Sequence, residues 1–282
     1  MPLTFARGSG TAVDMNAVRS KDGTSIAFDR SGSGPALILV GGAMSDRTTA
    51  AAVSSFLASR FTVFAYDRRG RGDSDDTPPY AVEREVEDLD ALIGEAGGSA
   101  FVMGGSSGAV LALDAAAHGL AITELVLYEP PLIVDGGRPP LPAGLAAHLA
   151  ELVSDGRRGD AVAAFLSEAL SMPPEVIAQV RSAPFWAGLE KIAHTLPYDL
   201  IITGPIQTGS PASLDRWSSI TAPALVMDGG ESPAWMHSGV RALAEILPNA
   251  THRTLEGQTH AADPKVLAAA IADFLARARV GS

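Results

Sequence analysis

A chain of 282 residues with 46% hydrophobic and 19% charged residues has apolar material enough for one large α/β domain carrying an insert. The absence of cysteine excludes disulfides, thiolate metal sites and cysteine nucleophiles, and a formal net charge of −11 disfavours nucleic acid and anionic membrane surfaces as partners. No apolar run approaches the ~20 residues that span a bilayer, so the expectation is a soluble, cytoplasmic protein with a small-molecule partner.

Residues 1–15 lack a basic stretch followed by an apolar one and contain Gly8-Ser9-Gly10 and a second methionine, Met15; they are expected to be a flexible leader. Residues 16–20 and 24–29 alternate around Lys21-Asp22-Gly23, the pattern of a hairpin. The run ALILV at 36–40 and FTVFAY at 61–66 read as strands buried on both faces, with a helix over 48–59 between them. Val82, Val86, Leu89 and Ile93 fall at helical spacing within 80–96. A strand at 99–103, an alanine-rich helix at 107–118 and a strand at 124–128 follow.

The alternation of strand and helix predicts a mostly parallel sheet covered on both faces. It breaks after Glu129-Pro130-Pro131. Residues 131–215 contain proline-punctuated helical segments at 144–152, 161–170 and 175–181 and read as a helical cap. The strand pattern resumes with ALVMD at 224–228, then a helix at 235–247, a strand at 251–255 and a helix at 264–278. The core is thus expected over 16–130 and 216–282.

Gly104-Gly105-Ser106-Ser107-Gly108 matches G-x-S-x-G between a strand and a helix, where a strained turn would lift a serine above the sheet at the positive end of the next helix. A second register centred on Ser107 also has small flanking residues. With 101–103 the last buried strand residues, Ser106 falls at the tip and Ser107 opens the helix, which makes Ser106 the candidate nucleophile.

With this elbow in place, the chain resembles an α/β-hydrolase along most of its length. ALILVGGAMSDR resembles the stretch after strand 3, YDRRGRGDS (66–74) the turn after strand 4, and a histidine precedes the last helix. The resemblance implies eight strands, a cap between strands 6 and 7, and an oxyanion hole formed by the backbone N–H groups of Ala43 and Ser107. The chain departs from the family at Gly41, where histidine is usual; because the donors are backbone groups, activity is expected to survive.

The resemblance also implies the base. Among six histidines, His118 sits at a helix C-terminus, His148 and His194 in the insert, His237 early in a helix and His252 within a strand. His260, in a glycine-bearing loop before the last helix, matches the family's catalytic histidine in chain order. The acid usually follows strand 7, yet MDGGESPAW offers Asp228 or Glu231 only in a rebuilt turn. Some families of this fold, haloalkane dehalogenases and certain lactone hydrolases among them, place it after strand 6, and Glu129 stands there. Glu129 is preferred, with Asp228 and Glu231 as alternatives and a salt bridge from Glu129 to Arg68, Arg69 or Arg71 as its structural reading.

DRRGRGDS is expected to be a structural turn beneath the site. Gly42 and Met44, beside the oxyanion loop, and Phe185, Trp186 and Tyr198 in the insert are candidate substrate contacts, the last three equally readable as the insert's own core. No metal motif, Walker loop or dinucleotide fingerprint appears, so no cofactor is expected. The resemblance implies hydrolysis of a carboxylic ester or lactone, with carbon–carbon bond cleavage or lyase chemistry, or a receptor keeping a slow triad, as alternatives.

Overall fold

The computed structural model describes residues 16–277; the expected leader, 1–15, lies outside the described residues. The hairpin forms β1 (Asn16–Arg19) and β2 (Ser25–Gly32), paired antiparallel. Gly23 takes the left-handed backbone its turn requires, at φ +87°, and the Asp22 carboxylate accepts from Thr24 N–H at 3.0 Å. The apolar runs become β3 (Ala36–Val40), β4 (Thr62–Tyr66), β5 (Ala100–Gly105), β6 (Ile122–Tyr128) and β7 (Ala224–Gly229), with β8 (Ala250–Leu255) at the far edge.

All eight strands join one sheet in the order β1-β2-β4-β3-β5-β6-β7-β8. β2 runs antiparallel to β4, and every pair from β4 to β8 is parallel. The period of two sends neighbouring residues to opposite faces. Ile38, Val102, Leu127 and Val226 pack under α2 (Val82–Glu95), α3 (Ser107–Ala117) and α9 (Ala234–Ile246). Leu37, Phe101, Val126 and Leu225 pack on the other face with α1 (Ala51–Leu57) and α10 (Pro264–Arg277). Continuous apolar strands therefore report burial from both sides.

Between β6 and β7 the described residues form helices and no strand. They are α4 (Leu145–Ser154), α5 (Arg158–Ala164) continuing into a π-helical turn at Phe165–Ala169, α6 (Pro174–Arg181), α7 (Trp186–Lys191) and α8 (Leu196–Thr203). The last two were not legible as helices, because α7 is short and Pro197 reads as a break. Pro197 instead sits in the first turn of α8, where a missing N–H costs nothing. Leu149, Val162, Phe165, Trp186 and Leu200 form a third apolar cluster. Ile202, Ile206 and Leu214, nominally in the insert, pack with the sheet cluster instead, so its final stretch is already joined to the core.

Candidate active site

β5 ends at Gly105 and α3 begins at Ser107, leaving Ser106 at the tip with φ 55° and ψ −128°, a backbone that a residue with a Cβ rarely adopts. The turn is closed by Ser106 N–H donating to Tyr128 O at 2.9 Å. Its glycines are obligatory for space. A Cβ on Gly104 would lie 2.4 Å from Gly108 O, and one on Gly108 would lie 2.3 Å from Val40 O.

Glu129 follows β6 directly, fully buried, and also holds a positive φ of 46°. Its Oε1 accepts from Gly229 N–H at 2.7 Å, and its Oε2 lies 2.7 Å from His260 Nδ1. Burial alone would raise its pKa, but the hydrogen bonds from His260 and Gly229 prevail and hold the carboxyl below its usual range. A carboxylate so bound assigns the proton to Nδ1, which leaves Nε2 as the acceptor.

Ser106, His260, Glu129, Ala43, Met44 and Ser107 line a single cavity of about 530 Å³, walled on the insert side by Leu141, Phe165, Leu170 and Leu200. A second cavity of about 320 Å³ shares Ala43, Ser106 and His260 and includes Gly42 and Tyr66. A Cβ on Gly42 would lie 2.9 Å from that of Ser106, so the loop after β3 is pressed against the elbow.

The turn after β4 orients that loop. Arg71 Nη1 and Ser45 Oγ donate to Gly42 O at 2.5 and 2.7 Å, and Arg68 Nη1 donates to Gly41 O at 3.3 Å. A trans peptide points C=O and N–H in opposite directions, so anchoring Gly42 O turns the Ala43 N–H away from Arg71. Arg68 also pairs with Glu85, and Arg69 with Asp88, so none of these arginines reaches Glu129. Arg68 and Arg71 share Asp199 of α8, which is buried and bound by Arg68 at 2.8 Å and Arg71 at 2.7 Å. Burial would raise its pKa; the two guanidiniums and the Ser107 hydroxyl hold it lowered.

The other sequence candidates stand elsewhere. Asp228 is buried on the α9 side, 2.8 Å from His237 Nδ1 and 3.3 Å from His252 Nε2. Glu231 is exposed on the cavity wall, with no contact to His260. Phe185 is exposed; Trp186 lies in the insert's core, donating to Glu190 at 2.9 Å; Tyr198 stacks on Tyr80 and donates to Asp76 at 2.8 Å. None of these three residues lines either cavity, and Trp186 and Tyr198 are engaged in packing contacts of the insert.

Several lining residues gave no sequence signal. Arg138, Gln207, Trp235 and Met236 reach the cavity from segments with no motif. Gln207 donates Nε2 to Pro131 O at 2.9 Å, and its buried Oε1 has no protein partner. Among the described residues, no group of three or more His, Asp or Glu is arranged to hold a metal ion, and no helix is long and apolar enough to cross a membrane.

Against this geometry, the model of the alpha/beta hydrolase family matches residues 37–270. An alpha/beta hydrolase from Sphaerobacter thermophilus DSM 20745 is 53% identical with a TM-score of 0.86, covering 92% of this chain and 100% of that one. Uncharacterized hydrolase YraK of Bacillus subtilis is 33% identical over 123 residues, 42% of this chain, and the chain spans 45% of that relative's length. The esterase RhEst1 from Rhodococcus sp. ECU1013 is similar in fold alone, at 22% identity and a TM-score of 0.67 over 93% of this chain and 98% of that one.

Proposed function

Because the chain belongs to the alpha/beta hydrolase family, we propose that it is a serine hydrolase cleaving a carboxylic ester or lactone of a small molecule, with Ser106, His260 and Glu129 as its triad. The observation that carries this reading is the buried Glu129 carboxylate 2.7 Å from His260 Nδ1, in a cavity shared with the strained Ser106.

In this mechanism His260 Nε2 takes the Ser106 proton as Oγ attacks the substrate carbonyl. The N–H groups of Ala43 and Ser107 receive the oxyanion, and Ser107 offers its donor from the positive end of α3. Collapse breaks the C–O bond, and the alkoxide leaves with the proton held by His260. Water then attacks the acyl-enzyme by the same route, releasing the acid and restoring Ser106. Glu129 keeps the imidazole oriented and stabilises its charged form. An esterase among proteins of similar fold is consistent with the ester substrate.

Labelling with a fluorophosphonate, alongside turnover of a panel of aryl esters and lactones, tests the reading. Rapid labelling and turnover, both abolished in Ser106→Ala, are the expected result. Labelling that survives in Ser106→Ala, or turnover slower than a binding protein's occasional hydrolysis, would overturn it.

A further inference from the structure

The cavity holds one cation with no ionic partner. Arg138 lines the wall beyond β6 in the same cavity as Ser106. Its guanidinium makes its protein hydrogen bonds through Nη2 alone, to Ala169 O and to Ser171 Oγ at 3.3 Å. It forms no ion pair with any described residue, and Nε and Nη1 are left without a protein acceptor. Its carbon centre lies 4.9 Å from the ring centroid of Trp235, which lines the cavity too and holds the planar group in place from one side.

The neighbouring carboxylates are committed or remote in character. Glu129 is bound to His260, and Asp199 is shared by Arg68 and Arg71. Glu231 lines the wall but is exposed, where water screens it, and makes no ion pair with Arg138. Burial without an acidic neighbour lowers the Arg138 pKa, yet arginine stays charged at neutral pH. A partly desolvated guanidinium with a free donor edge is a site for a planar anion. One unpaired positive charge matches a carboxylate better than a dianion.

Resting on the hydrolase reading above, we propose that the substrate is an anion, an ester or lactone bearing a carboxylate remote from the bond cleaved, and that Arg138 binds that carboxylate. The apolar wall between Arg138 and the elbow then accommodates the chain joining the two groups. Arg138 acts as a specificity residue, selecting the acid over its neutral ester.

The test compares 4-nitrophenyl monoesters of succinic, glutaric and adipic acids with the matching methyl 4-nitrophenyl diesters. In the wild type, kcat/KM for at least one monoacid should exceed that of its neutral diester by about tenfold or more, the range of a charged hydrogen bond. Arg138→Gln should erase most of that ratio, chiefly through KM, and Arg138→Lys should restore part of it. A wild-type ratio at or below one at every chain length would overturn the proposal, as would a ratio that Arg138→Gln leaves unchanged.

Calorimetry on Ser106→Ala separates this proposal from the catalytic one. Monomethyl glutarate should bind more tightly than dimethyl glutarate, and the difference should vanish in Ser106→Ala/Arg138→Gln. Should the wild type hydrolyse none of the esters, the hydrolase reading fails, while this binding difference still decides the anion site. Equal binding of the two probes to Ser106→Ala would overturn it even in an active esterase.

Discussion

Ser107 Oγ donates a 2.7 Å hydrogen bond to Asp199 Oδ1, tying the first residue of the elbow helix to a carboxylate delivered by α8. From the sequence, Ser107 was expected to contribute only its backbone N–H. In the structure its hydroxyl completes a buried cluster in which Arg68, Arg71 and Ser107 converge on one acid.

Removing Asp199 therefore leaves the buried Arg71 guanidinium without an acid, while Arg68 keeps Glu85. Asp199→Ala should cost about 3–5 kcal/mol, the usual penalty for breaking a buried pair from one side. Ser107→Ala removes one of three donors and should cost about 1 kcal/mol. Urea denaturation of both variants measures the ordering; equal losses would show that the hydroxyl, not the ion pairs, holds α8 down.

The acid assignment is separable by amide substitution. Glu129→Gln should lower kcat by about 10⁴, as loss of the orienting carboxylate does in such triads. Asp228→Asn should reduce stability through its two histidine contacts while kcat stays within a few-fold, and Glu231→Gln should do little to either. Steady-state kinetics on an activated ester checks all three.

Glu129 also predicts a pH dependence. Its folded pKa lies below the ordinary 4.5, so the folded state favours the ionised carboxylate. That contribution is complete above the unfolded value and is lost as pH falls through the folded one. The stability gap between wild type and Glu129→Gln should be largest above about pH 5 and close as the pH drops further. Denaturant midpoints across that range read it, and a gap that widens on acidification would contradict the depressed pKa.

Strain at the elbow gives a fourth expectation. Ser106→Ala keeps a Cβ on a backbone at φ 55°, whereas Ser106→Gly removes it. Both should be inactive, but the glycine variant should be the more stable by about 1 kcal/mol, a modest share of the strain such residues carry. Paired thermal melts of the two variants measure the difference.

What was legible follows from where the information sits. The elbow is legible because its requirements are local: Gly104 and Gly108 face backbone oxygens, and no other residue fits. The apolar runs of β3 to β7 are legible because two-sided burial keeps polar residues to the strand ends and the start of β6. Glu129 was reachable only through its place at the end of a strand together with the resemblance to families of this fold that carry the acid after strand 6. By contrast, Arg68 and Asp199 are 131 residues apart, and no local pattern announces their pairing. Arg138 and Gln207 were invisible for the same reason: residues without motif become lining only when helices assemble around them.

The anchoring of α8 has a further consequence for the order in which the insert opens. With its acid locked between two arginines beneath the elbow, this helix is a fixed floor. Elsewhere in the insert, α6 has no buried residue, and most of the chain between Leu170 and Phe185 is exposed. Segments with so little buried area open at the least free-energy cost. This stretch of the insert is therefore expected to open before α8, whose carboxylate is held by Arg68, Arg71 and Ser107.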